Sequence, residues 1–149
     1  MLAVLLLGTG MPVLPQQEKG RSKGTLSFRY NNQLYVADSS HARAYVLKSD
    51  STAFISGSNS ENMVMDVQWK HFKAAGNYTI TMMNGKAEFT IEHKTYTLSQ
   101  NRDFVKVTVA SVKTAGSFLL LTGSFEALLH DKNGNAVPVK EGKFTTYTL

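Results

Sequence analysis

From Gly24 onward the chain alternates apolar and polar residues in short runs. Leu26, Phe28 and Tyr30 point one way over residues 24–30 and Thr25, Ser27 and Arg29 the other, the two-residue period of a half-buried strand. Asn31-Asn32 reads as a turn, because asparagine tolerates positive φ, and 34–37 as the returning strand. Asp38-Ser39-Ser40 breaks it. Strands follow at 42–48 and 52–56 around Ser49-Asp50-Ser51, then a polar loop over 57–62. Residues 63–69 alternate again, with Met63, Met65, Val67 and Trp69 on one face and Val64, Asp66 and Gln68 on the other.

Residues 71–75 (HFKAA) read as a helical turn ended by Gly76. A strand follows over 77–82, then a hairpin signal at Asn84-Gly85 and a hairpin of 87–91 with 94–98 around Glu92-His93. After a polar connection at 99–103, residues 104–112 carry Val105, Val107 and Val109 in phase, and 113–116 turn the chain. The last stretch, 119–149, reads as a closing hairpin. Phe125, Ala127 and Leu129 are in phase, Asn133-Gly134 is the turn, Val137 and Val139 lead back, and Gly142 marks a bulge before Phe144. About ten short strands with almost no helix predict an all-β domain, an antiparallel β-sandwich or flattened β-barrel. Two stretches echo one another: in 27–37 and in 88–98, Phe28 and Tyr35 match Phe89 and Tyr96 at equal spacing. A shared hairpin geometry suffices to explain that.

Composition narrows this picture. The chain has 149 residues, enough for one domain. It has no cysteine, which removes disulfides, thiolate metal sites and a cysteine nucleophile within the given sequence. The formal charge of +5 is spread along the chain, densest at Lys19, Arg21 and Lys23. Such scatter argues against nucleic-acid binding, which concentrates its cations on one face. The first seven residues, MLAVLLL, are too few for a transmembrane helix, which needs about 20. Followed by Gly8, Thr9, Gly10, Pro12, Pro15 and the polar QQEKGRSKG run, they read as a secretory signal and linker over 1–23. The mature domain is then 24–149. The competing reading makes Ala3 to Leu7 a buried first strand.

Candidate chemistry is sparse. The four histidines, His41, His71, His93 and His130, fall in no metal-binding spacing and read as solvated turn and loop residues. Asp38-Ser39-Ser40-His41 contains the residue types of a hydrolytic triad, but in a polar turn these side chains more simply cap the backbone. Gly8-Thr9-Gly10 lacks the Lys-Ser/Thr ending of a phosphate loop. Asp131 to Asn135 (DKNGN) shares letters with calcium loops without the distal acidic ligand, and reads as a hairpin turn. Trp69, Tyr30, Tyr35, Tyr45 and Tyr96 are candidates for a sugar-stacking platform. Tyr35 and Tyr45 fall out of phase with their apolar neighbours and are expected to be exposed. The sequence nominates no catalytic, cofactor-binding or metal-ligating residue and calls for no cofactor.

The C-terminal pattern Leu121-Thr122-Gly123-Ser124-Phe125, Asp131-Lys132-Asn133-Gly134-Asn135 and Val139-Lys140-Glu141-Gly142-Lys143-Phe144 resembles a family of uncharacterised exported envelope proteins of Bacteroidetes-type bacteria. Their N-terminal hairpin is similar to Leu26-Ser27-Phe28 with Leu34-Tyr35-Val36-Ala37. The resemblance implies an envelope-associated β-domain and supplies no catalytic residues. The expectation is an exported, periplasmic or surface-associated module with a non-enzymatic binding or structural role. Its partner would be an envelope protein or a glycan. A carbohydrate- or small-ligand-binding module is the first alternative and a hydrolase with a dispersed active site the second.

Overall fold

The alternation resolves into eleven strands in a computed structural model that describes residues 23–149. They are β1 (Lys23–Tyr30), β2 (Gln33–Val36), β3 (Arg43–Leu47), β4 (Thr52–Ser58), β5 (Met63–Trp69), β6 (Gly76–Ile80), β7 (Gly85–Ile91), β8 (Lys94–Thr97), β9 (Phe104–Ala115), β10 (Phe118–His130) and β11 (Ala136–Thr148). All of the expected signal and linker but Lys23, which opens β1, lies outside the described residues, as do the alternative strand at Ala3 to Leu7 and Gly8-Thr9-Gly10. The all-β expectation holds. All the strand pairs are antiparallel and belong to one sheet of order β2-β1-β11-β10-β3-β4-β5-β7-β8, with β9 on β10 and β6 on β9.

The sheet branches at β10. This strand pairs with β9 from Phe118 to Leu128. On its other edge it pairs first with β3, through Phe118 to Leu120, and then with β11, from Thr122 to His130. The strands were expected to be short, but β9, β10 and β11 run for 12, 13 and 13 residues. Pairing with β10 carries β9 through its exposed end, with Lys113 opposite Leu120, Thr114 opposite Leu119 and Ala115 opposite Phe118. The turn expected at 113–116 is therefore shortened to Gly116-Ser117.

Sheet curvature lets inward side chains meet. Phe28 of β1 lies 5.8 Å from Phe89 of β7 and 6.3 Å from Phe125 of β10, which lies 6.3 Å from Phe144 of β11. Around these rings Leu26, Ile55, Met63, Met65, Ile80, Ile91, Leu121 and Leu129 are fully buried. Each such side chain contributes roughly 1.5–3 kcal/mol of transfer free energy. The path does not close into a barrel. Its two ends approach through side chains: the Tyr35 hydroxyl of β2 donates to Glu92 Oε2 at 3.4 Å, and Tyr30 meets Tyr96 of β8.

The expected bulge is present. Between Phe125↔Gly142 and Ala127↔Val139 the β11 strand holds one residue more than β10, and Glu141 takes φ +52°. Gly142 is glycine for a different reason: a Cβ there would sit 2.5 Å from the Phe125 ring. At Gly123 a Cβ would meet the Thr108 carbonyl oxygen at 2.0 Å, which accounts for that glycine too.

Two local expectations fail. Residues 71–75 form no helical turn. The segment wraps instead around the Tyr78 hydroxyl, which accepts the Lys73 and Ala74 amides and donates to the Ala74 carbonyl at 2.5 Å. Five residues are too few for a free-standing helix, and one tertiary anchor outweighs their propensity. Asn84-Gly85 does turn the chain, with Asn84 Oδ1 accepting the Thr81 amide at 2.8 Å. Its flanking strands do not pair with one another, however: β7 joins β5 and β6 joins β9. A turn signal specifies local backbone and leaves the partner of each strand open.

Candidate binding face

Because side chains alternate across a strand, the inward Ala44, Val46, Ile55, Val67 and Ala87 force their neighbours onto the opposite face of β3, β4, β5 and β7. Register then aligns those neighbours in two rows. The first runs Arg43↔Ser56↔Asp66↔Glu88↔Thr97 across β3, β4, β5, β7 and β8. The second runs Tyr45↔Phe54↔Gln68↔Lys86. Both line an open groove of about 570 Å³, with Met82 and Leu98 also on its wall.

The two rows differ in character. Tyr45 and Phe54 are half-buried and stack with ring centroids 5.1 Å apart, and Phe118 meets Tyr45 edge-on at 5.7 Å. In the other row Arg43 Nε donates to Ser56 Oγ at 3.3 Å. Asp66 stands directly across from Glu88, an arrangement that like charges disfavour. The Asp66 carboxyl is held above the ordinary range, first by partial desolvation on this face and then by Glu88, while Arg43 pulls it down. The result is an aromatic shelf beside a strip of hydroxyl, carboxylate and guanidinium groups.

No family model, curated protein or solved structure matches this chain. The functional reading therefore rests on the residues themselves.

Of the expected platform residues, Tyr45 is placed on this face. Trp69 and Tyr35 are not: they are buried, 3% exposed each, inside the core. Tyr35 was expected outside because Leu34 and Val36 look like the buried residues of β2. Pairing with Phe28 reverses that phase, turning Tyr35 inward and leaving Leu34 and Val36 exposed. Tyr30 and Tyr96 are half-buried at the seam between the sheet's ends.

His41, His71 and His93 lie exposed in turns and connections, as expected. His41 Nδ1 is 3.7 Å from Asp38 Oδ2 on a surface 3-10 turn at Ser39–His41. His130 departs from expectation. It sits on the last residue of β10, 7% exposed, with Nδ1 2.7 Å from Asp103 Oδ1. Proximity to the DKNGN turn disguised a strand residue as a loop residue. That turn itself folds as expected: Asp131 Oδ1 accepts the Asn133 and Asn135 amides, and Gly134 takes φ +82°.

The sequence reading missed Phe54, Asp66 and Glu88. The available signal was the outward phase of each strand, but which strands adjoin, and hence which outward residues meet, is a matter of topology.

Proposed function

We propose that this chain is an exported β-domain of the cell envelope, related to the Bacteroidetes-type proteins its C-terminal pattern resembles, which binds a carbohydrate on the outer face of β3, β4, β5 and β7. The observation that carries the reading is the Tyr45–Phe54 stack running beside the Arg43, Ser56, Asp66, Glu88 and Thr97 row. A pyranose has an apolar C–H face that suits an aromatic ring. Its edge of hydroxyls suits carboxylates as acceptors and guanidinium as donor. Ligand binding also gives a use to Asp66 facing Glu88, which the fold alone disfavours.

Calorimetry against oligosaccharides chosen from a glycan array tests the site. Tyr45→Ala and Asp66→Asn are each expected to weaken binding by about tenfold or more, equivalent to about 1.4 kcal/mol. Binding that survives both substitutions refutes the placement. The filled phenylalanine core favours a second reading, a structural module with no ligand, and an array without hits selects it. Export rests on the apolar MLAVLLL run and polar linker. Mass spectrometry of the secreted protein is expected to find a mature N-terminus near Gly24, and an uncleaved Met1 in the cytoplasm overturns it.

A further inference from the structure

A second constellation adjoins that face at Thr97 but does not depend on the carbohydrate reading. Asp103 is 1% and His130 7% exposed, and among the described residues they are the buried ionisable pair of a mainly apolar interior. Burying such groups is costly unless they are paired and hydrogen-bonded. Asp103 is fully engaged: Oδ2 accepts the Ser99 and Gln100 amides at 3.0 and 2.9 Å, and Oδ1 faces His130 Nδ1 at 2.7 Å. A carboxylate that only accepts requires Nδ1 to carry the proton. The other ring nitrogen, Nε2, is thereby left for a different partner, and His130 lines a groove of about 620 Å³.

The groove walls set the chemistry of that partner. Lys94, Thr95, Tyr96 and Thr97 come from β8, Ser99 and Gln100 from the following connection, and Lys132 and Asn133 from the β10–β11 turn. Every one of these side chains can donate a hydrogen bond. Among the described residues neither Lys94 nor Lys132 has an ion-pair partner within 4 Å. Asp131 is the opposing charge on the lining; its oxygens accept the Asn133 and Asn135 amides and the Asn135 side chain, and its carboxyl is held below the ordinary range first by the Asn135 amide and also by Lys94. We propose that this groove is an oxyanion-binding site in which protonated His130, aimed by Asp103, joins Lys94 and Lys132 in holding a phosphate-, sulfate- or carboxylate-type group.

Asp103 anchors the 99–103 turn whatever its partner. A merely structural pair would link turn to strand without responding to solutes. A proton on His130 adds a donor at Nε2 and a charge beside the bound anion. Occupancy is therefore expected to tighten at lower pH. The charged and titratable groups around it are Asp103, Asp131, Lys94, Lys132, Tyr96 and Arg102, whose guanidinium lies against Gly134 of the turn and donates to Gln100.

The test is titration of the full chain with sulfate, whose charge is constant between about pH 5.5 and pH 8, followed by the His130 ring resonances in NMR. A parallel acetate arm separates tetrahedral from planar anions. Sulfate is expected to bind at least about fivefold more tightly at the lower pH, within the usual range of coupling. It should also shift the His130 ring resonances. His130→Gln should abolish the pH dependence. Lys94→Ala with Lys132→Ala changes only surface residues and should weaken binding at both pH values. Equal affinity at both pH values, pH-dependent binding that persists in His130→Gln, or no response to sulfate or acetate overturns the proposal.

Discussion

The hairpins at 27–37 and 88–98 are two solutions to one geometric problem. Each turns through two residues of positive φ, Asn31 (50°) and Asn32 (63°) in one, Glu92 (49°) and His93 (68°) in the other, the conformation that matches strand twist in a two-residue hairpin. Each places a phenylalanine directly across from a tyrosine, Phe28↔Tyr35 and Phe89↔Tyr96. Each supplies one free end of the sheet path, β2 and β8. The outward positions diverge. Where the first exposes Leu34 and Val36, the second presents Thr95 and Thr97. Where the first sets Ser27 opposite Lys143, the second sets Glu88 opposite Asp66. Inward residues repeat because the same core must be filled. Outward residues are free to differ, and only the second hairpin contributes to both candidate grooves.

The largest expected effect comes from the shared phenylalanines. Phe28→Ala and Phe89→Ala should each cost about 3–5 kcal/mol in urea denaturation. The rings meet edge-on at 5.8 Å, so the double variant should lose measurably less than the sum of the two. Strict additivity would mean that the hairpins pack as independent units and would break the comparison.

Much of this geometry was legible in the chain. The inward phases of β1, β5, β9, β10 and β11, the Glu92-His93 turn and the bulge beside Gly142 follow from two-residue periodicity and turn chemistry, both local properties. The failures share a cause. Tyr35 against Leu34 and Val36, Tyr78 capturing 73–74, and β7 leaving β6 for β5 are all decided by which distant segment arrives alongside. The candidate faces were illegible for the same reason. Asp66 and Glu88, or Asp103 and His130, are ordinary residues until topology makes them neighbours.

A smaller effect separates the two tyrosines. Tyr35 is buried and donates to Glu92, whereas Tyr96 is half-buried beside Tyr30. Tyr35→Phe should cost about 1 kcal/mol, the usual worth of one hydrogen bond, and Tyr96→Phe less. Burial first, then Glu92, raises the pKa of Tyr35; burial first, then Tyr30 and Asp131, raises that of Tyr96. A phenol whose pKa is raised by folding contributes stability that is full below its unfolded value of about 10 and is lost as pH rises through the folded one. Stability measured by denaturation above pH 10 should therefore fall with pH, less steeply in each variant. An unchanged slope in Tyr35→Phe would place its ring in solvent-like surroundings.

The turns differ in residue suitability rather than shape. Asparagine tolerates positive φ well and histidine to a degree, whereas glutamate does so less readily. Replacing Glu92 with Asn and His93 with Gly should stabilise the second hairpin by about 0.4–1 kcal/mol, less whatever the Tyr35–Glu92 contact is worth. The matching Asn32→Gly change should gain less. Equal gains in thermal denaturation would show that both turns are equally strained, and that the histidine-containing turn carries no special cost.

The finest distinction concerns Ser27 and Glu88, which occupy equivalent places. Glu88→Gln should stabilise the protein at neutral pH by about 0.2–1 kcal/mol, because it removes a like charge directly opposite Asp66. The sign reverses the usual acid behaviour of a paired carboxylate. Since folding raises the Asp66 pKa, the native state holds more protons than the unfolded chain. This contribution therefore improves stability as pH falls from the raised folded value toward the unfolded one near 3.8. The advantage of Glu88→Gln should accordingly shrink on acidification and vanish once Asp66 is protonated. Ser27→Glu, facing Lys143, should bring no comparable penalty at any pH. A pH-independent gain from Glu88→Gln would mean that the two carboxylates do not feel one another, and the case for a ligand that relieves their repulsion would fall with it.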